Sequence, residues 1–198
     1  MNSFTAKNGQ NGWVQQTTAS LRSVLATMAV CAGLYPLVIW GLGQILTPQS
    51  AGGSLVRNGQ GQIVGSALIA QAFTRPEYFW PRSSAVDYNA AAAGGSNLSP
   101  TNPELRTRAV VLVKHYGATA GAPLPADLVT ASGSGLYPHI TLAAARYQAA
   151  RVAAARGMPL AEVEALLAKH SFRPGGALTA KPLVNVLIVN MALDGWTP

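Results

Sequence analysis

The segment Leu128-Val129-Thr130-Ala131-Ser132-Gly133-Ser134-Gly135-Leu136-Tyr137-Pro138-His139-Ile140 is where this sequence comes closest to chemistry. Glycines and serines ahead of a helix can turn backbone N–H groups toward an anion, which suits a phosphate. A P-loop would need G-x-x-x-x-G-K-[ST], and no lysine stands here. The competing reading is a tight connection whose glycines adopt φ > 0. Ser132 and Ser134 lie near His139, but without a G-x-S-x-G elbow, and proximity in sequence is not triad geometry. The seven acidic residues include no evident general acid–base pair. His115, His139 and His170 are far apart, and none sits at ligand spacing from a cysteine or carboxylate motif. Each reads as a surface or packing histidine, so no metal site and no catalytic residue are assigned. Cys31 is the single cysteine, which excludes an intrachain disulfide.

The elements that would position this loop can be read from caps and breakers. Asn102, Pro103 and Glu104 mark the start of a helix that runs to His115 or Tyr116 and stops at Gly117. Thr141 caps a second, LAAARYQAARVAAAR, ended by Gly157. Pro159 opens a third, LAEVEALLAKH, with Glu162 and Glu164 early and Lys169 late, as the helix dipole favours. Leu183 to Leu193 is nearly all apolar. Its length argues for a buried helix from Pro182, while its valines and isoleucine leave a strand open. Ser54 to Val56 and Gln62 to Ser66 read as strands around an Asn58-Gly59 turn. Leu68 to Phe73 extends a strand or starts a short helix. Thr74 to Pro103 lacks periodicity and reads as a long ordered loop. The fold class is α+β, with a transmembrane helix ahead of one mixed α/β domain.

That helix comes from the absence of charge between Arg22 and Arg57. The apolar run Val24 to Leu46 is about 34 Å long at about 1.5 Å per residue, against a hydrocarbon core of about 30 Å. Pro36 should kink it. A cleaved signal peptide would have a shorter apolar region and an A-x-A-like site, whereas Gln49 occupies the −3 position of any cut after Ala51. The division is then a short cytoplasmic segment 1–22, a transmembrane helix 23–46 and a soluble domain 47–198, with Thr47 to Gly53 as linker. Lys7 and Arg22 precede the span and Arg57 follows at a distance, so the positive-inside rule puts the domain outside the cytoplasm. Ala29, Gly33 and Gly41 are small residues on one face, where another helix could approach.

Only 11% of residues are charged, yet the formal net charge is +7. The basic residues are scattered. Arg146, Arg151 and Arg156 recur every fifth position, a poor stripe for tracking phosphates, and nucleic acid is not an expected partner.

Six blocks occur in order: GSALIAQAF (Gly65–Phe73), YFWPRSSA (Tyr78–Ala85), GGSNLSPTNP (Gly94–Pro103), DLVTASGSGLYPHI (Asp127–Ile140), ARYQAARVAAARGM (Ala145–Met158) and VNVLIVNMALD (Val184–Asp194). Together, after a single N-terminal span, they resemble the C chain of the Kdp-type potassium-transporting P-type ATPase. The sequence departs from that family at Ala70 and Ser99, where glycine is usual, at Ser83, where proline is usual, and at Tyr137, where aspartate is usual.

The resemblance implies a non-catalytic subunit of an inner-membrane complex that imports potassium at the expense of ATP. Its partners would be a channel-like potassium-binding subunit and a P-type ATPase catalytic subunit, with lipid around the anchor. It also implies a catalytic chaperone that raises the pump subunit's affinity for ATP, with Ser132, Gly133, Ser134, Gly135 and Gln148 as a nucleotide contact. No cofactor is expected to be held firmly. An extracytoplasmic domain cannot meet cytoplasmic ATP, so the charge pattern favours a brace or lid over the channel subunit's entrance. The alternative function is a membrane-anchored extracytoplasmic binding or sensor module; an enzyme is third, lacking a catalytic constellation.

Overall fold

A computed structural model describes residues 11–178 and 181–196 and divides the chain at Gly52 into two compact units. Lys7, one of the two charges behind the orientation argument, lies outside the described residues.

The first unit is helical. Helix α1 (Asn11–Met28) passes into a π-helical turn (Ala29–Leu34) and then into α2 (Tyr35–Leu46). Pro36 explains that turn. Proline has no N–H to give and its ring crowds the carbonyl four residues back. The wider turn takes up the conflict, and the Tyr35 N–H reaches Val30 O instead. The stretch Gly12–Leu46 is long and apolar enough to cross a membrane, and no residue of its most apolar window is buried. A Cβ on Gly33 or Gly41 would meet nothing within 4 Å. The expected linker from Thr47 is partly ordered: Pro48–Ala51 forms a single helical turn, α3, because proline fits the first helical position.

The second unit begins with a hairpin of β1 (Leu55–Arg57) and β2 (Ile63–Ser66), antiparallel with an irregularity at Val56/Arg57. Its turn is wider than an Asn58-Gly59 pair. Asn58 Oδ1 accepts from Gln60 N at 3.0 Å and Gln62 N at 2.9 Å, and the positive φ of 78° falls on Gly61. Leu68 to Phe73 forms neither a strand nor a helix. It is held at its middle instead, through Gln71 Nε2 to Val64 O and Ala70 N to Leu136 O. From Thr74 to Asn102 the chain is ordered loop.

Helix α4 (Pro103–His115) is capped by Asn102, whose side chain accepts from Glu104 N. After the single turn α5 (Ala126–Val129) come β3 (His139–Thr141) and α6 (Leu142–Arg156). Thr141 Oγ1 caps α6 at Ala144 N, and Gly157 closes it in the left-handed region. Helix α7 (Leu160–Lys169) and β4 (Ser171–Phe172) follow. The last apolar run resolves into both readings: Leu183–Asn185 is strand β5, and Val186–Leu193 is helix α8, with Asn185 as N-cap. In the three-stranded sheet, ordered β3-β5-β4, β5 lies between two antiparallel neighbours. Val184, its β-branched residue, is buried there and suits that central place.

Alanines set the core. Ala144, Ala145, Ala149 and Ala153 of α6 are buried, so α7 approaches α6 closely, and Val163 and Leu167 of α7 join Val186 and Val189 of α8 in the same cluster. A second cluster of Val56, Leu187 and Met191 seats the hairpin on α8.

Candidate functional site

The long loop is irregular in backbone but fixed by side chains from α6 and α8. Asn190, in the apolar run of α8, accepts from Phe79 N at 2.8 Å and donates to Phe79 O at 3.0 Å. Gln148 of α6 repeats the arrangement one residue on, accepting from Trp80 N at 2.8 Å and donating to Trp80 O at 3.1 Å. Two buried amides thus do for this loop what a neighbouring strand would do in a sheet.

The α6 arginines complete the clamp. Arg151 donates to the carbonyls of Pro76 and Tyr78 and to Gln148 Oε1, and its guanidinium lies 3.5 Å from the Trp80 ring centroid. Burial pushes Arg151 down to about 10, still charged at neutral pH. Arg156 donates to Glu77 O, Leu193 O and Asp194 Oδ1, all within 2.8 Å. Tyr78 Oη closes the ring on Asp194 Oδ2 at 3.0 Å. Trp80 also meets His115 at 4.6 Å and Tyr116 at 5.5 Å between ring centroids, and burial pushes the Tyr116 phenol up to about 12. The five-residue spacing of Arg151 and Arg156 therefore serves a loop clamp, while Arg146 is exposed.

The Ser132–Gly135 loop is joined to the far end of the same segment. Ser132 N donates to Ser83 O at 2.9 Å, and Arg82 reaches Thr130 Oγ1 and Ala131 O. Ser132 is buried, and its Oγ accepts from Tyr137 N at 3.2 Å. Ser134 Oγ accepts from Leu136 N, and Gly94 N donates to Ser134 O. Gly135 has φ 70° and no room for a side chain. Gly133 and the Ser134 side chain form the exposed part of the loop. The five residues singled out from sequence thus divide: Ser132, Gly135 and Gln148 are buried, and Gly133 and Ser134 face outward.

Residues 17–195 match the family pattern of the K+-transporting ATPase c chain, KdpC. The chain belongs to that family. It is 56% identical over 176 residues to the potassium-transporting ATPase KdpC subunit of Parvibaculum lavamentivorans, covering 89% of this chain and 94% of that protein. The KdpC subunit of Myxococcus xanthus is 48% identical over 88% of this chain and 85% of its own length. That of Pseudomonas aeruginosa is 44% identical over 91% and 97%.

Tyr137 follows the buried Leu136 and is exposed. Its ring lies 5.1 Å from His139, which lies 5.1 Å from Phe172, so the tyrosine ends a short row of aromatic side chains on the sheet. Buried His139 Nδ1 has no partner, and burial lowers the pKa of His139. Burial, then Lys169, lowers His170 as well. A lowered folded value means the unfolded chain binds more protons below the ordinary value of 6.5. The stability held by neutral His139 is therefore complete above 6.5 and is lost as pH falls below it. The thermal midpoint is expected to fall between about pH 7 and pH 5, and to fall less in His139→Phe, which keeps the ring without the proton. Equal falls in both proteins would contradict this assignment.

Proposed function

We propose that the chain is a non-catalytic accessory subunit of an ATP-driven potassium import complex. The observation that carries this is the family match over residues 17–195, which spans both the apolar helix and nearly all of the folded second unit. The relatives are named as potassium-transporting ATPase subunits. The partners in this reading are a channel-like potassium-binding subunit and a P-type ATPase catalytic subunit. The N-terminal helix anchors the chain in the inner membrane as a single pass, and open space beside Gly33 and Gly41 suits a neighbouring helix.

The second unit lies outside the cytoplasm in this proposal, because Lys7 and Arg22 precede the span and the next basic residue is Arg57. There it acts as a rigid brace or lid on the channel-like subunit. Rigidity is what two amide pins and two arginine clamps provide to a loop without secondary structure. The alternative is a chaperone that raises the pump's affinity for ATP through Ser132–Gly135 and Gln148. Exposed Gly133 and Ser134 are the members accessible to a nucleotide. Gln148 would first have to leave Trp80 and Arg151.

Topology separates the two. With Cys31→Ser and Ser134→Cys the chain carries one reporter thiol, since Cys31 is the single native cysteine. A membrane-impermeant maleimide is expected to label it in spheroplasts with an intact inner membrane. Labelling only after lysis would overturn the orientation and favour ATP contact. Ala118→Cys, at a partly exposed position, controls for local shielding at Ser134.

A further inference from the structure

A cavity of about 380 Å³ lies between the Ser83–Ala85 segment, the Gly95–Ser96 loop and the first turns of α4, where Glu104 and Arg108 stand one turn apart. Its wall is unusual in offering hydrogens that no protein acceptor takes. Ser84 Oγ accepts from Val86 N at 3.1 Å and from Tyr88 N at 3.0 Å. A hydroxyl has two acceptor lone pairs and one proton, so both lone pairs are used and the O–H is left to donate. Arg108 Nε is buried without a hydrogen-bond partner, and so is Ser83 Oγ. Buried polar groups are nearly always satisfied, so these unmet donors lining one cavity call for an acceptor-rich guest.

We infer that this cavity binds an oxyanion, a carboxylate or a phosphate group, on Arg108 with the hydroxyls of Ser83 and Ser84. A guanidinium presents parallel N–H groups that match two oxygens of such a group. The volume is at the lower end of the roughly 300–1,000 Å³ typical of small-molecule sites, so the group arrives on a small carrier or on a side chain. Exposed Glu104 offsets part of the positive charge and disfavours polyanions. The cavity is distinct from the Ser132–Gly135 loop and Gln148, none of which lines it; the neighbouring Ala131 does. The loop nevertheless fixes its wall, because a Cβ on Gly95 would sit 2.7 Å from Gly133 O.

The test uses the full-length chain in nonionic detergent, titrated by calorimetry with sodium acetate and with inorganic phosphate, against sodium chloride at constant ionic strength. Saturable binding of at least one oxyanion is expected, weakened at least tenfold in Arg108→Gln and less in Ser83→Ala. Arg108→Lys keeps the charge without the fork and should fall between wild type and Arg108→Gln. If Arg108→Gln does not fold, Ser83→Ala and Arg108→Lys carry the comparison. No saturable binding of either oxyanion, or affinities unchanged in every folded variant, would overturn the inference. Repeating the titration on membrane complexes containing the chain identifies the source. Persisting binding marks a free solute, and loss on assembly marks an acidic group of a neighbouring subunit.

Discussion

Replacing Asn190 with alanine is expected to destabilise the second unit by about 3–5 kcal/mol. The Asn190 side chain is 2% exposed and Phe79 1%, so water cannot replace the lost bonds. The substitution leaves Phe79 N and O both unpaired, at about 1–3 kcal/mol each, and opens a small void beside them. Because Trp80 follows directly, the loop should loosen where Gln148 and Arg151 hold it. Urea unfolding of the full-length chain, followed by tryptophan fluorescence, measures the effect. Asn190→Asp keeps the shape but turns a carboxylate oxygen toward Phe79 O, and should be no better tolerated. A loss below about 1 kcal/mol in both variants would mean that the amide does not pin the loop.

Gly135→Ala is the second large effect. A Cβ there would lie 2.5 Å from Val86 Cγ2 and 2.7 Å from Gly94 O, in a backbone with φ 70°. The left-handed conformation alone costs about 1 kcal/mol for alanine, and overpacking against backbone adds about 1–3 kcal/mol. The expected loss is about 3 kcal/mol, read by the same unfolding measurement. Gly133→Ala is the matched control, since a Cβ there meets nothing within 4 Å. It should change stability by no more than about 0.5 kcal/mol. Equal losses at the two positions would show that the contrast between the inner and outer halves of the loop is mistaken.

Local chemistry was legible in the sequence. The caps at Asn102 and Thr141, the stop at Gly157 and the start at Pro159 each depend on one or two adjacent residues, and each stands where the sequence puts it. The last apolar run was ambiguous because a strand buried on both faces and a buried helix present the same residue types. It contains both, divided at Asn185, whose side chain accepts from Ile188 N. The loop from Thr74 was recognisable as ordered, but not what orders it. Its partners lie far away in sequence: Gln148 meets Trp80, and Asn190 meets Phe79. A signal was present nonetheless. A single amide in an alanine-rich helix and another in VLIVNMAL are out of place unless each is buried with a backbone partner. Arg151 and Arg156 were misleading because their spacing was weighed against a phosphate track, whereas their acceptors are carbonyls and one carboxylate. Whether the Ser132–Gly135 loop was an anion nest or a structural connection depended on which N–H groups remain unused. The N–H groups of Ser132, Gly135, Leu136 and Tyr137 are engaged within the unit, and those of exposed Gly133 and Ser134 are the two left unused.

A chain that works as one subunit of a potassium-transporting complex should leave native membranes together with its partners, and the test is purification of the full-length, affinity-tagged protein in mild detergent. The expected result is a stable assembly containing a P-type ATPase chain and a channel-like chain, eluting together on size exclusion. Recovery of a lone, monodisperse protein, under conditions that keep other membrane complexes intact, would contradict the claim and favour a solitary membrane-anchored binding module.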